Sequence, residues 1–211
     1  MKYKKNEAKE AAKEMLRGVW TALPTNFIDA ERLDEKGIAF NLEHSITHLK
    51  IDGHYCIGNV GEFWAMTNEE RMRVAEINVD VNKGRVPLIA GCHHQNPAEA
   101  AKLARHAQDI GIDFVIILTP YMAARGDDAV YDYYKLVADR VDIGICLFNT
   151  NQGHSLSPKL AQRHEHDKTV PKHLLQAELV AHGRLPDAGN AVTQHDAGAQ
   201  VAWLQQIRCA D

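Results

Sequence analysis

Five short apolar runs alternate with helical patterns as far as Arg163, and where a sixth run is due the rhythm stops. The runs are Val19 to Leu23, Tyr55 to Ile57, Val86 to Ala90, Phe114 to Leu118 and Ile143 to Phe148. Most of them are too continuously apolar to leave one face in water, so they read as strands buried on both sides of a parallel sheet. Between them lie helix start signals. Thr67 with Glu70 forms a capping box; Asn96, Pro97 and Glu99 supply an N-cap, a first-turn proline and an acidic third position; Ser157 with Pro158 opens another helix. Ile38, Leu42, Ile46 and Leu49 fall at helical spacing in the first helix, and Leu103, Ala107 and Ile110 in the third, which Gly111 ends. Repeated strand, loop and helix units predict an α/β architecture, either a closed barrel or an open parallel sheet of the flavodoxin kind.

Composition excludes several classes. Apolar residues make up 45% and charged residues 25%, as in a packed globular domain. The net charge of -4 gives no reason to expect nucleic acid, and no stretch approaches the roughly 18 apolar residues of a membrane span, so neither partner is expected. Residues 1–17 are rich in lysine and glutamate without an apolar h-region; they predict a solvated helical extension laid against the domain, not a secretory signal. Cys56, Cys92, Cys146 and Cys209 lack the close paired spacing of a zinc site or disulfide scaffold and read as reduced thiols of a cytoplasmic protein.

In parallel α/β folds the working groups sit at the carboxyl ends of the strands, where loops vary on a rigid sheet. After the second run comes Gly58-Asn59-Val60-Gly61-Glu62-Phe63, a turn whose glycines can leave backbone amides free to meet an anion. From the spacing alone a plain glycine turn is the better reading, and the third glycine of a dinucleotide fingerprint is absent. After the third run, His93 and His94 are adjacent; neighbours on an extended segment point opposite ways, so no metal is expected there. Tyr121 follows the fourth run in Thr119-Pro120-Tyr121-Met122, and Phe148-Asn149-Thr150-Asn151 ends the fifth.

Taken together, these strand ends resemble the dihydrodipicolinate synthase and N-acetylneuraminate lyase family of class I aldolases. Gly18-Val19-Trp20-Thr21-Ala22-Leu23-Pro24-Thr25 is similar to the family's first strand, Gly58 to Glu62 to its Gly-Thr-Thr-Gly-Glu turn, and Thr119-Pro120-Tyr121, Phe148-Asn149 and Leu156-Ser157-Pro158 to later landmarks. The resemblance implies a partial (β/α)8 TIM barrel, about the first five βα units with a divergent tail. It also implies a lyase that condenses, cleaves or hydrates a 2-oxo acid such as pyruvate through a lysine Schiff base, without a cofactor and as a homo-oligomer. In the family the turn after the second strand holds the oxo acid's carboxylate, a tyrosine ending the fifth strand relays protons, and the lysine ends the sixth.

The carry-over is uneven. Gly58, Gly61 and Glu62 agree; Asn59 and Val60 replace two threonines, Phe148 stands at the relay tyrosine position, and Met122 replaces a second tyrosine. Phe148 and Tyr121 are thus the candidate catalytic positions, and Gly58, Asn59, Val60, Gly61 and Glu62 the candidate substrate-binding ones. No Schiff-base lysine is found. Lys168 and Lys172 lie nearest its expected place but follow no buried strand and read as solvated charge.

Residues 164–211 contain one isoleucine, no phenylalanine or tyrosine, and five of the 12 histidines. Such a shift suggests a C-terminally truncated or frame-shifted member, organised as an N-terminal extension (1–17), a partial barrel (18–163) and a divergent tail (164–211). Leu174, Leu175, Leu179 and Val180 are expected to form a short helix over the barrel's open side. His164, His166, Asp167 and His173 could in principle bind zinc but read as exposed, so no metal is assigned. An unclosed sheet would leave two strand edges bare and favour poor solubility, dimerisation or partial disorder after Arg163. Two functions remain: an aldolase or hydratase of 2-oxo acids, and a non-catalytic relative that binds ligand or associates with barrel subunits; the second is expected of this chain.

Overall fold

The computed structural model describes residues 1–29, 31–122, 126–149, 156–157, 160 and 163, together with the backbone of 174–180 and 204–209. The chain runs α1 (Ala8–Met15), β1 (Trp20–Ala22), a small hairpin of β2 (Phe27–Ile28) and β3 (Arg32–Leu33), then α2 (Glu35–Thr47) and β4 (Gly53–Cys56). It continues with α3 (Asn68–Asn82), β5 (Leu88–Gly91), α4 (Pro97–Ile110), β6 (Phe114–Leu118), α5 (Asp127–Ala138) and β7 (Gly144–Phe148). β1, β4, β5, β6 and β7 lie side by side in chain order, each pair parallel. A doubly wound sheet would need a point where that order reverses. There is none in this run of strands, so the flavodoxin-like alternative falls and the five parallel strands form the barrel portion.

The tail corrects two expectations. Leu174–Val180, read from sequence as a short helix, is strand β8, parallel to β7 with Ile145 opposite Leu174. Leu204–Cys209 is strand β9, antiparallel to both β8 and β1, and the circuit closes as a ring of seven strands. The two sheet edges are therefore covered. The physical reason is the row of unpaired amides and carbonyls along β7 and β1, which an extended segment satisfies and a helix, bonded within itself, cannot. An ordinary (β/α)8 barrel is all parallel, so this closure departs from that pattern.

The helices start where their capping residues predict. Thr67 Oγ1 accepts from the Glu70 amide at 3.2 Å while Glu70 Oε2 accepts from the Thr67 amide at 2.8 Å. Asn96 Oδ1 accepts from the Ala98 amide at 2.9 Å, and Gly111 ends α4 at φ +94°, a conformation that a side chain would strain. Ser157 Oγ accepts from the Leu160 amide at 3.1 Å, as an N-cap does. Ile38 and Leu42 of α2 are buried, but the helix stops at Thr47 and Leu49 beyond it is exposed. The first strand is also shorter than its apolar run: Val19 is exposed and bonds through its amide to Asp52 Oδ2 at 2.7 Å.

The N-terminal segment is only partly solvated. Ala8, Ala12 and Leu16 are buried, and α1 lies against β7 and β8. Ahead of it, Tyr3 stacks on Phe114 with ring centroids 5.1 Å apart, donates from Oη to the Asp113 carbonyl, and accepts from the Gly144 amide at 3.0 Å. Lys2 Nζ reaches the buried Asp113 carboxylate at 2.8 Å, and the other oxygen of that carboxylate accepts from the Leu88 amide at 2.9 Å. Lys5 Nζ donates to the Val141 carbonyl at 2.6 Å. These contacts stopper the amino end of the strands. Tyr3→Phe keeps the stacking and strips both backbone groups of their partner. Chemical denaturation is expected to show a loss of about 1–3 kcal/mol, and an unchanged unfolding free energy would show that the seal carries no stability.

Candidate functional site

The direction of the inward side chains follows from one contact. His54 Nε2 meets Ser45 Oγ of α2 at 2.7 Å, so His54 faces the helix layer and its strand neighbours Gly53 and Tyr55 face into the barrel. Register carries that face around the sheet: Tyr55 pairs with Ile89, Ile89 with Phe114, and Leu118 with Phe148. Below, a Cβ at Gly53 would lie 2.4 Å from the Trp20 indole, so the glycine makes room for that ring. The lower interior is apolar. Polar groups enter at the carboxyl ends of the strands.

His93, just past β5, is fully buried there. Its Nδ1 accepts from the Leu118 amide at 3.0 Å, and its Nε2 lies 2.6 Å from Tyr55 Oη. An amide can only donate, so Nδ1 is the bare nitrogen and Nε2 carries the hydrogen. Burial pushes the His93 pKa well below its ordinary value, the Arg71 guanidinium adds to this, and the ring stays neutral. Burial likewise pushes Tyr55 well up, so its phenol stays protonated. Phe63 stands against His93 with centroids 4.6 Å apart, and the Phe148 ring lies 6.1 Å from it.

Beside this pair runs the glycine turn. Thr25 Oγ1 donates to the Gly61 carbonyl at 2.8 Å, the Glu62 amide to the Asn59 carbonyl at 3.1 Å, and the Phe63 amide to the Gly58 carbonyl at 3.3 Å. Among the described residues the amides of Asn59 and Val60 have no partner. Gly58 and Gly61 are buried, Asn59 and Val60 half-buried, and Glu62 is exposed. Ile57, immediately before the turn, holds φ +60°, the left-handed region that a β-branched residue rarely enters. Arg71, buried on α3, has its guanidinium 5.5 Å over the Phe63 ring and donates to the Gly91 carbonyl at 3.0 Å. Among the described residues it has no ion pair, and its Nε has no partner.

The residues expected from sequence do not all converge. Phe148 is nearly buried inside the barrel and close to His93, whereas Tyr121 sits on the rim, 37% exposed, its ring 6.4 Å from Phe63. Met122 beside it is 82% exposed. Asn149 turns away to its own loop, exchanging bonds of 3.0 and 3.1 Å with the Leu156 backbone. His94 takes a partner apart from that of His93, accepting from the Asn96 amide at 2.9 Å. Cys56, Cys92 and Cys146 are buried, and burial pushes the first two thiols up to about 12, so these two are not nucleophiles at neutral pH. Among the described residues no lysine is buried, and β8 contains none. Lys168, Lys172, Thr150, Asn151, His164, His166, Asp167 and His173 lie outside the described residues.

Sequence reading missed Tyr55, His93 and Arg71 as a group. Tyr55 counted as a strand residue and His93 only as half of a histidine pair. The available signal was a strand with inward-facing Tyr55 followed, one strand on, by a histidine at the same carboxyl end.

The chain matches the Dihydrodipicolinate synthetase family over residues 15–169 and belongs to that family. It is 36% identical over 151 residues to 4-hydroxy-tetrahydrodipicolinate synthase of Methanothrix thermoacetophila, covering 71% of this chain and 50% of that protein. N-acetylneuraminate lyase of Clostridium perfringens is 30% identical over 159 residues, 74% of this chain and 55% of that one. A prophage protein of the dihydrodipicolinic acid synthase family from E. coli K12, solved in complex with pyruvate, superposes with a TM-score of 0.66 at 30% identity over 70% of this chain and 50% of its own. The chain spans about half the length of the curated relatives it matches.

Two outcomes test the packing of the mouth and of the helix layer behind it. A Cβ at Gly58 would lie 2.4 Å from the Tyr55 ring, which the aromatic cluster holds in place. Gly58→Ala is therefore expected to cost about 1–3 kcal/mol in urea unfolding; a neutral substitution would mean that the ring moves freely. The second outcome is pH dependence. Burial lowers the His54 pKa to about 4, and His93 is lowered too. The unfolded chain protonates both histidines near pH 6.5, so below that pH it binds more protons than the native state and stability falls with acid. Unfolding at pH 5 against pH 7.5 should show a loss of about 2 kcal/mol from His54 alone. The pH slope should flatten in His54→Gln.

Proposed function

We propose that the mouth of this barrel binds a small 2-oxo acid such as pyruvate, its carboxylate on the Gly58–Gly61 turn, and that this chain does so without turning it over. The observation that carries the reading is the pair of unpartnered amides at Asn59 and Val60, held on a pinned turn beside the unpaired, buried guanidinium of Arg71. Backbone amides and a nearby cation are the chemistry that receives a carboxylate. The pyruvate complex of the E. coli K12 relative supports the choice of ligand.

Lyase chemistry belongs to the chain by descent. Schiff-base formation needs a desolvated amine, and β8 ends without one. Phe148 has no proton to relay. The unit that carries the site is residues 18–163, with 1–17 as its basal seal and 164–211 as a divergent tail. Trp64 and Met122, exposed by 63% and 82%, support a homo-oligomer, and we take the protein to be cytoplasmic; among the described residues no helix is long and apolar enough to cross a membrane.

Ligand-observed NMR with pyruvate, followed by borohydride reduction and intact mass measurement, tests both halves. Binding with no increase in mass is expected. A reduced adduct on Lys168 or Lys172 would make the chain an enzyme, and absence of binding would remove the carboxylate turn from consideration.

A further inference from the structure

Most hydroxyl groups around the barrel mouth are already committed. Thr25 Oγ1 donates to the Gly61 carbonyl at 2.8 Å, Tyr133 Oη to the His94 carbonyl at 2.6 Å, and Tyr134 Oη to the Ile117 carbonyl at 2.9 Å. Thr119 Oγ1 is buried without a partner, but Thr119 follows inward-facing Leu118 and alternation turns it out of the barrel. Tyr121 lies out on the rim.

Tyr55 is different. The Leu118 amide occupies His93 Nδ1, so His93 Nε2–H donates to Tyr55 Oη across 2.6 Å. The phenol oxygen is thereby an acceptor toward His93, and it cannot swing its own hydrogen that way, because Nε2 already bears one. Among the described residues that hydrogen has no partner. Its place is also defined: a Cβ on Gly58 would lie 2.7 Å from Tyr55 Oη, so the hydroxyl sits directly against the first residue of the turn, inside the barrel. Val60 brings no hydroxyl to the turn, and Phe148 brings none from across the interior.

We infer that Tyr55 contacts the substrate as the hydrogen-bond donor to the ketone oxygen of the 2-oxo acid, and that His93 is a positioning residue that fixes the direction of this donation. The inference rests on the reading of the Gly58–Gly61 turn given above and sharpens it. The two free amides suffice for a carboxylate. The uncommitted O–H is what distinguishes a 2-oxo acid from a simple carboxylate of the same length. Each bond in the series Leu118 N–H to His93 to Tyr55 polarises the next, which makes the terminal O–H a better donor than a solvated phenol. A pair that merely fills the core would affect stability and leave ligand choice untouched.

The experiment is a titration of the full chain with pyruvate and with propionate, read by ligand-observed NMR. The wild type is expected to prefer pyruvate by about tenfold, the effect of one well-placed hydrogen bond. Tyr55→Phe should abolish that preference while leaving propionate affinity unchanged. His93→Gln, whose amide can accept from Leu118 and donate to Tyr55, should restore most of it; His93→Leu should not. If neither acid binds the wild type, the carboxylate turn fails and takes this inference with it. If both bind and Tyr55→Phe keeps the preference, the turn stands and Tyr55 is excluded. A nitrogen-15 histidine spectrum of the wild type adds a check that requires no variant to fold: a neutral His93 bearing its hydrogen on Nε2 at pH 6 is expected, and an Nδ1–H tautomer or an imidazolium would overturn the assignment.

Discussion

A parallel strand tolerates water on neither face nor edge, and the rest of this molecule follows from that constraint. Helices cover the outer face of β4 to β7, and the interior is filled by Trp20, Phe114 and their neighbours. At the amino end the peptide groups that face outward are met by Tyr3 and by the Asp113 carboxylate, which also pairs with Lys2. At the lateral edges, β8 and β9 supply the missing backbone partners. The carboxyl end is left to the polar side chains of the strand ends and their loops. That is why Tyr55, His93 and the glycine turn gather there.

Features that depend on neighbours in sequence were readable before the fold was known. The Thr67–Glu70 box, the Asn96 cap and the Gly111 stop are all local, and each forms as its residues dictate. The apolar runs located five strands to within a few residues, and the order of motifs at their ends identified the Gly58–Glu62 turn. What failed depends on pairing at a distance. Leu174–Val180 has apolar residues that suit a short helix, and its strand state comes from the exposed edge of β7, which no local pattern reports. The link between Tyr55 and His93 spans 38 residues and appears only when β4 and β5 align. Adjacent histidines drew attention to metal chemistry. In the structure their ring nitrogens accept from amides instead, His93 from Leu118 and His94 from Asn96.

The backbone at Ile57 shows how the turn proposed to hold the carboxylate is fixed in place. A β-branched residue at φ +60° costs on the order of 1–3 kcal/mol and persists only where its surroundings leave no alternative. Here the surroundings are identifiable: a Cβ on Gly91 would lie 2.0 Å from the Ile57 carbonyl oxygen, so the strained peptide is pressed onto the end of β5, and Gly91 is what lets it fit. That contact sets the direction in which Gly58 leaves the sheet, and with it the amides of Asn59 and Val60. The turn is therefore rigid before any ligand arrives, and little ordering entropy is lost on binding. None of this depends on a lysine. The proposed carboxylate site rests on β4, β5 and the turn between strand and helix, all within the first half of the barrel. In the proposed reading covalent capture would need an amine at the end of a later strand, and β8 contains no lysine. Among the described residues no hydrogen bond of the turn or of the Tyr55–His93 pair reaches beyond Leu118, so the proposed carboxylate site stands without that later strand.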